Sequence, residues 1–189
     1  RKMVRSFHPT PVDQSIIHDC VDLPRRAPSA GRSQGWNLLL LTGSETSRYW
    51  DITLPEEKRD SFAFPDLLQA PCVALSLANS QAYLERYSEA DKEKTRLGNS
   101  TSKWVAPYWT IDASFSTMTF LLALHDEGLG ALFFAHTHET QLRQEFNIPD
   151  HVDILGAIAF GFSKQSDRQG RSATRALRDV DDIVHRSTW

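Results

Sequence analysis

The hydrophobic positions of this chain fall into short runs separated by polar, glycine or proline breaks. Ile16, Ile17, Cys20, Val21 and Leu23 recur at helical spacing behind Asp13, a good N-cap. They predict a helix that Pro24 ends or kinks just before Arg25 and Arg26. Residues 36–42 predict a buried strand, 44–52 a short helix, and 71–77 a second buried strand. The polar, partly helical stretch at about 79–107 reads as a surface excursion that could serve as a lid. The strongest helical segment is 110–127, with Ile111, Phe115, Met118, Leu121, Leu122 and His125 as its expected inward face. Ser114, Ser116, Thr117 and Thr119 would permit close packing on its other faces, and Gly128-Leu129-Gly130 would end it. A short strand at 131–134, a helix at 139–146 and a strand at 154–162 follow, the last with Gly156 and Gly161 expected at its ends.

Helices or long excursions fill every gap between strands, which favours an α+β class with a mixed sheet over a uniform βαβ ladder. With 189 residues, 40% of them hydrophobic, the chain suits one domain over 1–189. It would carry the excursion at about 79–107 and a C-terminal extension at about 163–189, where Val180, Ile183, Val184 and Trp189 restore an apolar signal.

Charge and cysteine usage narrow the class. A net charge of −3 and a pI of about 6.2 argue against a general nucleic-acid binder. No apolar run approaches a bilayer span, so no membrane partner is expected. Cys20 and Cys72 lie far apart and form no CxxC, which argues against a disulfide framework and fits a reducing cytoplasm. No secretory signal is visible, and the start at Arg1 without a Met leaves room for upstream residues.

Several groups could carry chemistry. Arg1, Lys2 and Arg5 could surround one phosphate dianion or form a solvated basic terminus. Arg168, Arg171, Arg175 and Arg178 form a second basic cluster with the same two readings. The small-residue turn from Pro28 to Gln34 could let backbone amides approach a bound group, or be an ordinary loop. With the basic ends it suggests a pocket for a phosphorylated planar cofactor. Gly128-Leu129-Gly130 follows a helix and lacks a third glycine, so a Rossmann fingerprint is disfavoured. His136 and His138 would share a face on a strand, and His125 is a further candidate. No third ligand has suitable spacing, so no metal is expected. No serine has a GxSxG setting. Asp112 reads as a cap or packing polar group rather than a general base. Tyr108 and Trp109, ahead of the long helix, read as core packing or as an aromatic wall for a flat substrate.

Taken in order, three motifs resemble the FMN-dependent nitroreductase family: Arg1-Lys2-Met3-Val4-Arg5-Ser6-Phe7, residues 27–36 (APSAGRSQGW) and residues 126–134 (DEGLGALFF). Ile148-Pro149, the run 156–162 and Asp181-Asp182-Ile183-Val184-His185 extend the match over nearly the whole chain. The resemblance implies a nitroreductase-like central sheet flanked by helices, in a domain-crossed homodimer with FMN at the subunit interface. It implies that Arg1, Lys2 and Arg5 bind the FMN phosphate, with Met3 in the same motif and Arg175 or Arg178 joining from the tail. Pro28, Ser29 and Ala30 would contact the flavin from the other subunit, with Arg32 and Gln34 nearby. Phe133, Phe134, Ala135 and His136 would run beside the ring. Chemistry on FMN needs no protein catalytic residue.

The implied activity is ping-pong oxidation of NAD(P)H with transfer to a small nitroaromatic, quinone or similar acceptor. Flavin fragmentation for benzimidazole synthesis, reductive dehalogenation and non-catalytic flavin binding are the alternatives. The chain departs from the family at Met3, where Ser is common, and at Arg32, where many members have Asn. Arg32 could face the flavin's pyrimidine or ribityl side, or be a salt-bridged surface residue. Pro24 interrupts a helix that usually continues to the loop, and Ala135 and His136 replace a smaller or more acidic pair.

Overall fold

The computed structural model describes residues 2–165, 167 and 171–189. Four strands form one sheet in the order β1-β2-β4-β3: β1 (Trp36–Thr42), β2 (Cys72–Asn79), β3 (Gly130–Phe134) and β4 (Val152–Gly161). Among the described residues there are six α-helices: α1 (Gln14–Asp22), α2 (Thr46–Thr53), α3 (Glu56–Arg59), α4 (Gln81–Tyr87), α5 (Tyr108–Asp126) and α6 (Glu139–Phe146). The α+β expectation holds. All strand pairs are antiparallel, so the mixed character rests on an isolated parallel bridge between Met3 and Ala131.

Both faces of the sheet are covered, which is why β2 reads as a continuous apolar run. On one face Val73, Leu75, Leu132 and Ala159 pack with Tyr49 and Trp50 of α2 and Leu142 of α6. On the other, Ala74, Ala131, Ile158 and Phe160 pack with Ile17 and Cys20 of α1 and with Phe120, Leu121 and Leu124 of α5. A polar rail joins sheet to α5. Trp36 Nε1 donates to Ser76 Oγ at 3.1 Å, and Ser76 Oγ lies 2.7 Å from Thr117 Oγ1.

The local signals explain the ends of the elements. The Asp13 side chain accepts from Ser15 N and caps α1, which stops before Pro24. Gly128, at φ +74, turns the chain out of α5. Four expectations need correction. β1 is half-buried rather than buried because it is a sheet edge. Gly156 lies inside β4, not at its end. It faces Ser76, where the register shifts, and a Cβ there would stand 2.7 Å from the Phe133 ring. Tyr108 and Trp109 are the first residues of α5 rather than its lead-in.

The fourth correction concerns the face of α5. Its buried side carries the small and polar residues Asp112, Ala113, Ser116, Thr117 and Ala123 with Phe120, Leu121 and Leu124. Phe115, Met118 and Leu122, expected inward, are 48%, 46% and 47% exposed, and His125 is exposed. Apolar residues encircle this helix, so its sequence does not single out the sheet-facing side. Small residues let it lie close to the sheet around Phe120, Leu121 and Leu124, while Phe115, Met118 and Leu122 are turned outward.

Candidate functional site

The basic motif meets the β3 edge beside α5, and the loop at 28–34 is bonded separately to α5 through Asp112. Residues 3 and 4 run along that edge, with Val4 N donating to the Ala131 carbonyl at 3.0 Å. A groove of about 400 Å³ lies there, lined by Met3, Thr110, Ser114, Thr117, Met118, Leu121, Phe133 and Leu155. Its walls are mainly apolar and its size suits a small ligand. Met3 thus stands in the groove wall, between Lys2 and Arg5 of the basic motif.

An acid already sits among those cations. Asp167 Oδ1 accepts from Arg5 N at 2.7 Å and from Ser6 N at 3.1 Å. Its Oδ2 faces Lys2 Nζ at 3.5 Å, and its side chain is almost wholly buried. Two successive amides converging on one oxygen form an anion-binding concavity. The Arg5 guanidinium reaches the Met3 carbonyl and lies over the Phe64 ring. Sequence reasoning missed Asp167, whose partners are more than 160 positions away in the chain.

The loop after α1 is held by bonds from distant elements. Gly31, Arg32 and Gln34 all have left-handed backbones, at φ +60, +59 and +54. Ser29 Oγ accepts from Gln34 N at 3.0 Å, and Ser33 Oγ donates to the Ala30 carbonyl at 2.7 Å. From α5, the buried Asp112 Oδ2 accepts from Ala30 N at 2.7 Å and from Tyr83 Oη at 2.8 Å. Burial, and then the hydrogen bond to Asp112, push the Tyr83 phenol well above its ordinary range. From α4, Arg86 Nε donates to the Gly31 carbonyl at 2.7 Å. A cavity of about 70 Å³ remains beneath the loop, lined in part by Ser29, Gln34, Trp36, Tyr83, Asp112 and Ser116.

The expected excursion is therefore docked on this loop through α4. Trp104 stands among the rings of Tyr83, Tyr87, Tyr108 and Trp109, at centroid separations of 4.6–6.4 Å. Trp109 Nε1 donates to Asp153 Oδ2 at 2.8 Å. Tyr108 and Trp109 thus pack into a ring cluster, and Thr110, next in the chain, reaches the groove.

At the end of β3, Phe133 lines the groove while Phe134 stacks on Trp50 across the sheet. Ala135 is exposed. His136 and His138 follow the strand instead of alternating on it. His136 Nε2 lies 3.3 Å from Glu139 Oε2, and Arg143 grips Oε1 of the same carboxylate. Arg143, and then His136, hold the Glu139 carboxyl below its ordinary range.

Arg32 is exposed, with a left-handed backbone, and among the described residues its side chain shows no hydrogen bond or ion pair. Pro28 and Gln34 are exposed, and Ser29 and Ala30 half-buried. Arg175 and Arg178 lie in the exposed tail, where Arg178 donates to the Asp182 carbonyl. The structure does not bring these two to Lys2 and Arg5 within one chain. Arg1 and Arg168 lie outside the described residues. Among the described residues, no group of three or more His, Cys, Asp or Glu could hold a metal, and no helix is long and apolar enough to cross a membrane.

Comparison with known proteins places this arrangement. The model of the nitroreductase family matches residues 1–162. A 4-nitrobenzoate reductase from Pseudomonas putida is 42% identical over 43 residues, which are 23% of this chain and 19% of that protein. An NADH dehydrogenase from Thermus thermophilus is 22% identical over 176 residues, covering 86% of this chain and 82% of that one. The solved structure of nitroreductase CinD from Lactococcus lactis in complex with nicotinic acid shares the fold, with a TM-score of 0.74. It is 19% identical, and the match covers 100% of this chain and 96% of that one. The motif order read from the sequence, the α+β fold and the match over residues 1–162 agree: the chain belongs to the nitroreductase family and is an oxidoreductase.

Proposed function

We propose that this protein is a cytoplasmic FMN-dependent NAD(P)H oxidoreductase that reduces small aromatic acceptors as a homodimer. The observation that carries the reading is the groove at Met3 and Phe133, since Met3 stands in its wall and belongs to the same short basic motif as Lys2 and Arg5. The donor set fits FMN. An ammonium and a guanidinium suit its phosphate, and an apolar wall suits its ring system. When bound, FMN supplies the hydride chemistry.

The chain's own residues hold and enclose that group. Lys2 and Arg5 bind the phosphate, with Arg175 or Arg178 arriving from a second copy's tail. Phe133 and its neighbours through His136 lie against the ring, and the second copy's Pro28, Ser29 and Ala30 close it off. Met118 and Leu121 keep water from the groove floor. Donor and acceptor then take turns in one groove, which predicts ping-pong kinetics. Tyr108 and Trp109 shape the acceptor's side through the ring cluster.

The homodimer is supported by two unpartnered apolar surfaces. Phe115, Met118 and Leu122 form an outward stripe on α5 beside the groove. The tail from 173 to 189 is exposed throughout, yet it carries Leu177, Val180, Ile183, Val184 and Trp189. Such surfaces are rarely left to water, and a tail crossing onto a second copy covers both. Cys20 and Cys72 are buried free thiols, pushed by burial up to about 11 and about 12, which suits a reducing compartment. Two relatives act on or bind aromatic carboxylates, 4-nitrobenzoate and nicotinic acid, and we extend that acceptor class to this chain.

The test is direct. Purified protein is expected to be yellow, dimeric by sedimentation, and bleached by NADH or NADPH without oxygen. 4-Nitrobenzoate should then restore the colour. Arg5→Ala is expected to weaken FMN binding by about 1.5–3 kcal/mol, as for loss of a charge-assisted hydrogen bond. A colourless protein that takes up no added FMN would sink the reading.

A further inference from the structure

The loop at 28–34 carries more backbone strain than a simple connection needs. Arg32 and Gln34 are not glycines, yet both are left-handed. Each costs about 1–2 kcal/mol relative to ordinary backbone. Such strain persists only where surrounding contacts over-determine it, and it concentrates at ligand clamps. Here the contacts are explicit. Asp112 holds the Ala30 amide from α5, and Arg86 holds the Gly31 carbonyl from α4. Arg86 is itself fixed by a fork on Asp91, with NH1 and NH2 at 2.7 and 2.8 Å from the two carboxylate oxygens. The Ser29–Ala30 and Gly31–Arg32 peptides are thus gripped from two helices, immediately before the Arg32 side chain.

What this grip displays is an exposed guanidinium with no acid in its own loop. Arg25, Arg26, Arg48, Arg59, Arg86 and Arg143 are each paired with a carboxylate; among the described residues Arg32, like Arg96, is not, and of those two only Arg32 lies in this gripped loop. A guanidinium offers paired donors matched to a carboxylate. We propose that Arg86 and Asp112 are positioning residues that set Arg32 as the cation selecting acceptors with a carboxylate on an aromatic ring. The proposal rests on the reading of this loop as a wall of the flavin site. It goes further by naming which side chain reads the acceptor and what holds it.

Benzoate and benzamide share a shape and differ in charge, so their affinity ratio isolates the cation. Both are titrated by calorimetry against wild type, Arg32→Ala and Arg86→Met, with and without FMN. Wild type should prefer benzoate. Arg32→Ala should cut that preference about tenfold or more while leaving benzamide binding in place. Arg86→Met should cut it in part, although Arg32 is still present; general destabilisation would weaken both ligands alike. Should Arg86→Met fail to fold, Asp91→Asn loosens the same fork from its far side.

Absence of a wild-type preference overturns the proposal, as does a preference untouched by Arg32→Ala. A full preference in Arg86→Met or Asp91→Asn overturns the positioning role. Should Arg32→Ala instead loosen FMN and leave the ratio unchanged, Arg32 serves the cofactor and the proposal falls. Failure of the flavin reading is seen separately, as protein that takes up no FMN, and the ratio in flavin-free protein then decides this one.

Discussion

The loop at 28–34 and the cationic segment at 2–6 would touch opposite parts of the same ligand, yet they are built in opposite ways. The loop is bonded to two helices. Its Ala30 amide and Gly31 carbonyl each meet a fixed side chain, and Tyr87 packs on Gly31. The cationic segment is bonded to an acid, Asp167, which occupies the amides that an incoming phosphate could use. One half is set before the ligand arrives. The other holds an acid that a phosphate bound there, as proposed, would have to outcompete or accommodate. Substitutions in the loop should therefore change stability first, and substitutions among the cations should change affinity first.

The largest effect is expected at Asp112. Asp112→Leu keeps the branching at Cγ but leaves the Ala30 N–H and the Tyr83 hydroxyl without their acceptor. Each donor left unmatched costs about 1–3 kcal/mol, so a loss of about 2–6 kcal/mol is expected, with Tm lower by several degrees. A thermal melt of the flavin-free protein checks this. A Tm within one degree of wild type, about the scatter of repeat melts, would mean that the carboxylate does not anchor the loop.

Much of this half was legible in the sequence, but not its wiring. The small-residue turn, its place between helix and strand, and its resemblance to a flavin loop can be read from residues 27–36. The helix at 139–146 and the Asp13 cap can be read from local spacing because their partners are neighbours. Asp112 and Arg86 act on the loop from 82 and 55 positions away, and no periodicity encodes such a pairing. The face of α5 was misread for a related reason. Phe115, Met118 and Leu122 are as apolar as the buried Phe120, Leu121 and Leu124, so spacing alone does not tell its two faces apart.

A smaller effect is expected at Gly31. At φ +60, any side chain meets left-handed strain, and a Cβ would also stand 2.8 Å from the Tyr87 ring. Gly43 has a similar φ of +53 with nothing within 4 Å, so it serves as the control. Gly43→Ala should cost about 1 kcal/mol from backbone strain alone. Gly31→Ala should cost about 1 kcal/mol more, because the ring must shift. Equal losses in urea unfolding would show that Tyr87 does not buttress the loop.

The smallest effect is expected at Asp167, and it tests the other half. Asp167→Asn keeps an oxygen for the amides of Arg5 and Ser6 and removes the charge beside Lys2. Lys2 is 63% exposed, so the lost ion pair should change stability by no more than about 1 kcal/mol. A phosphate approaching the motif would no longer meet a fixed carboxylate, a repulsion of about 1 kcal/mol at 4 Å in bulk water. FMN and inorganic phosphate should both bind a few-fold tighter, and the gain should shrink as salt is raised. Weaker binding would reverse the assignment. It would mean that the carboxylate holds the Arg5 and Ser6 amides in shape for the ligand, and the cationic half would then be as preset as the loop.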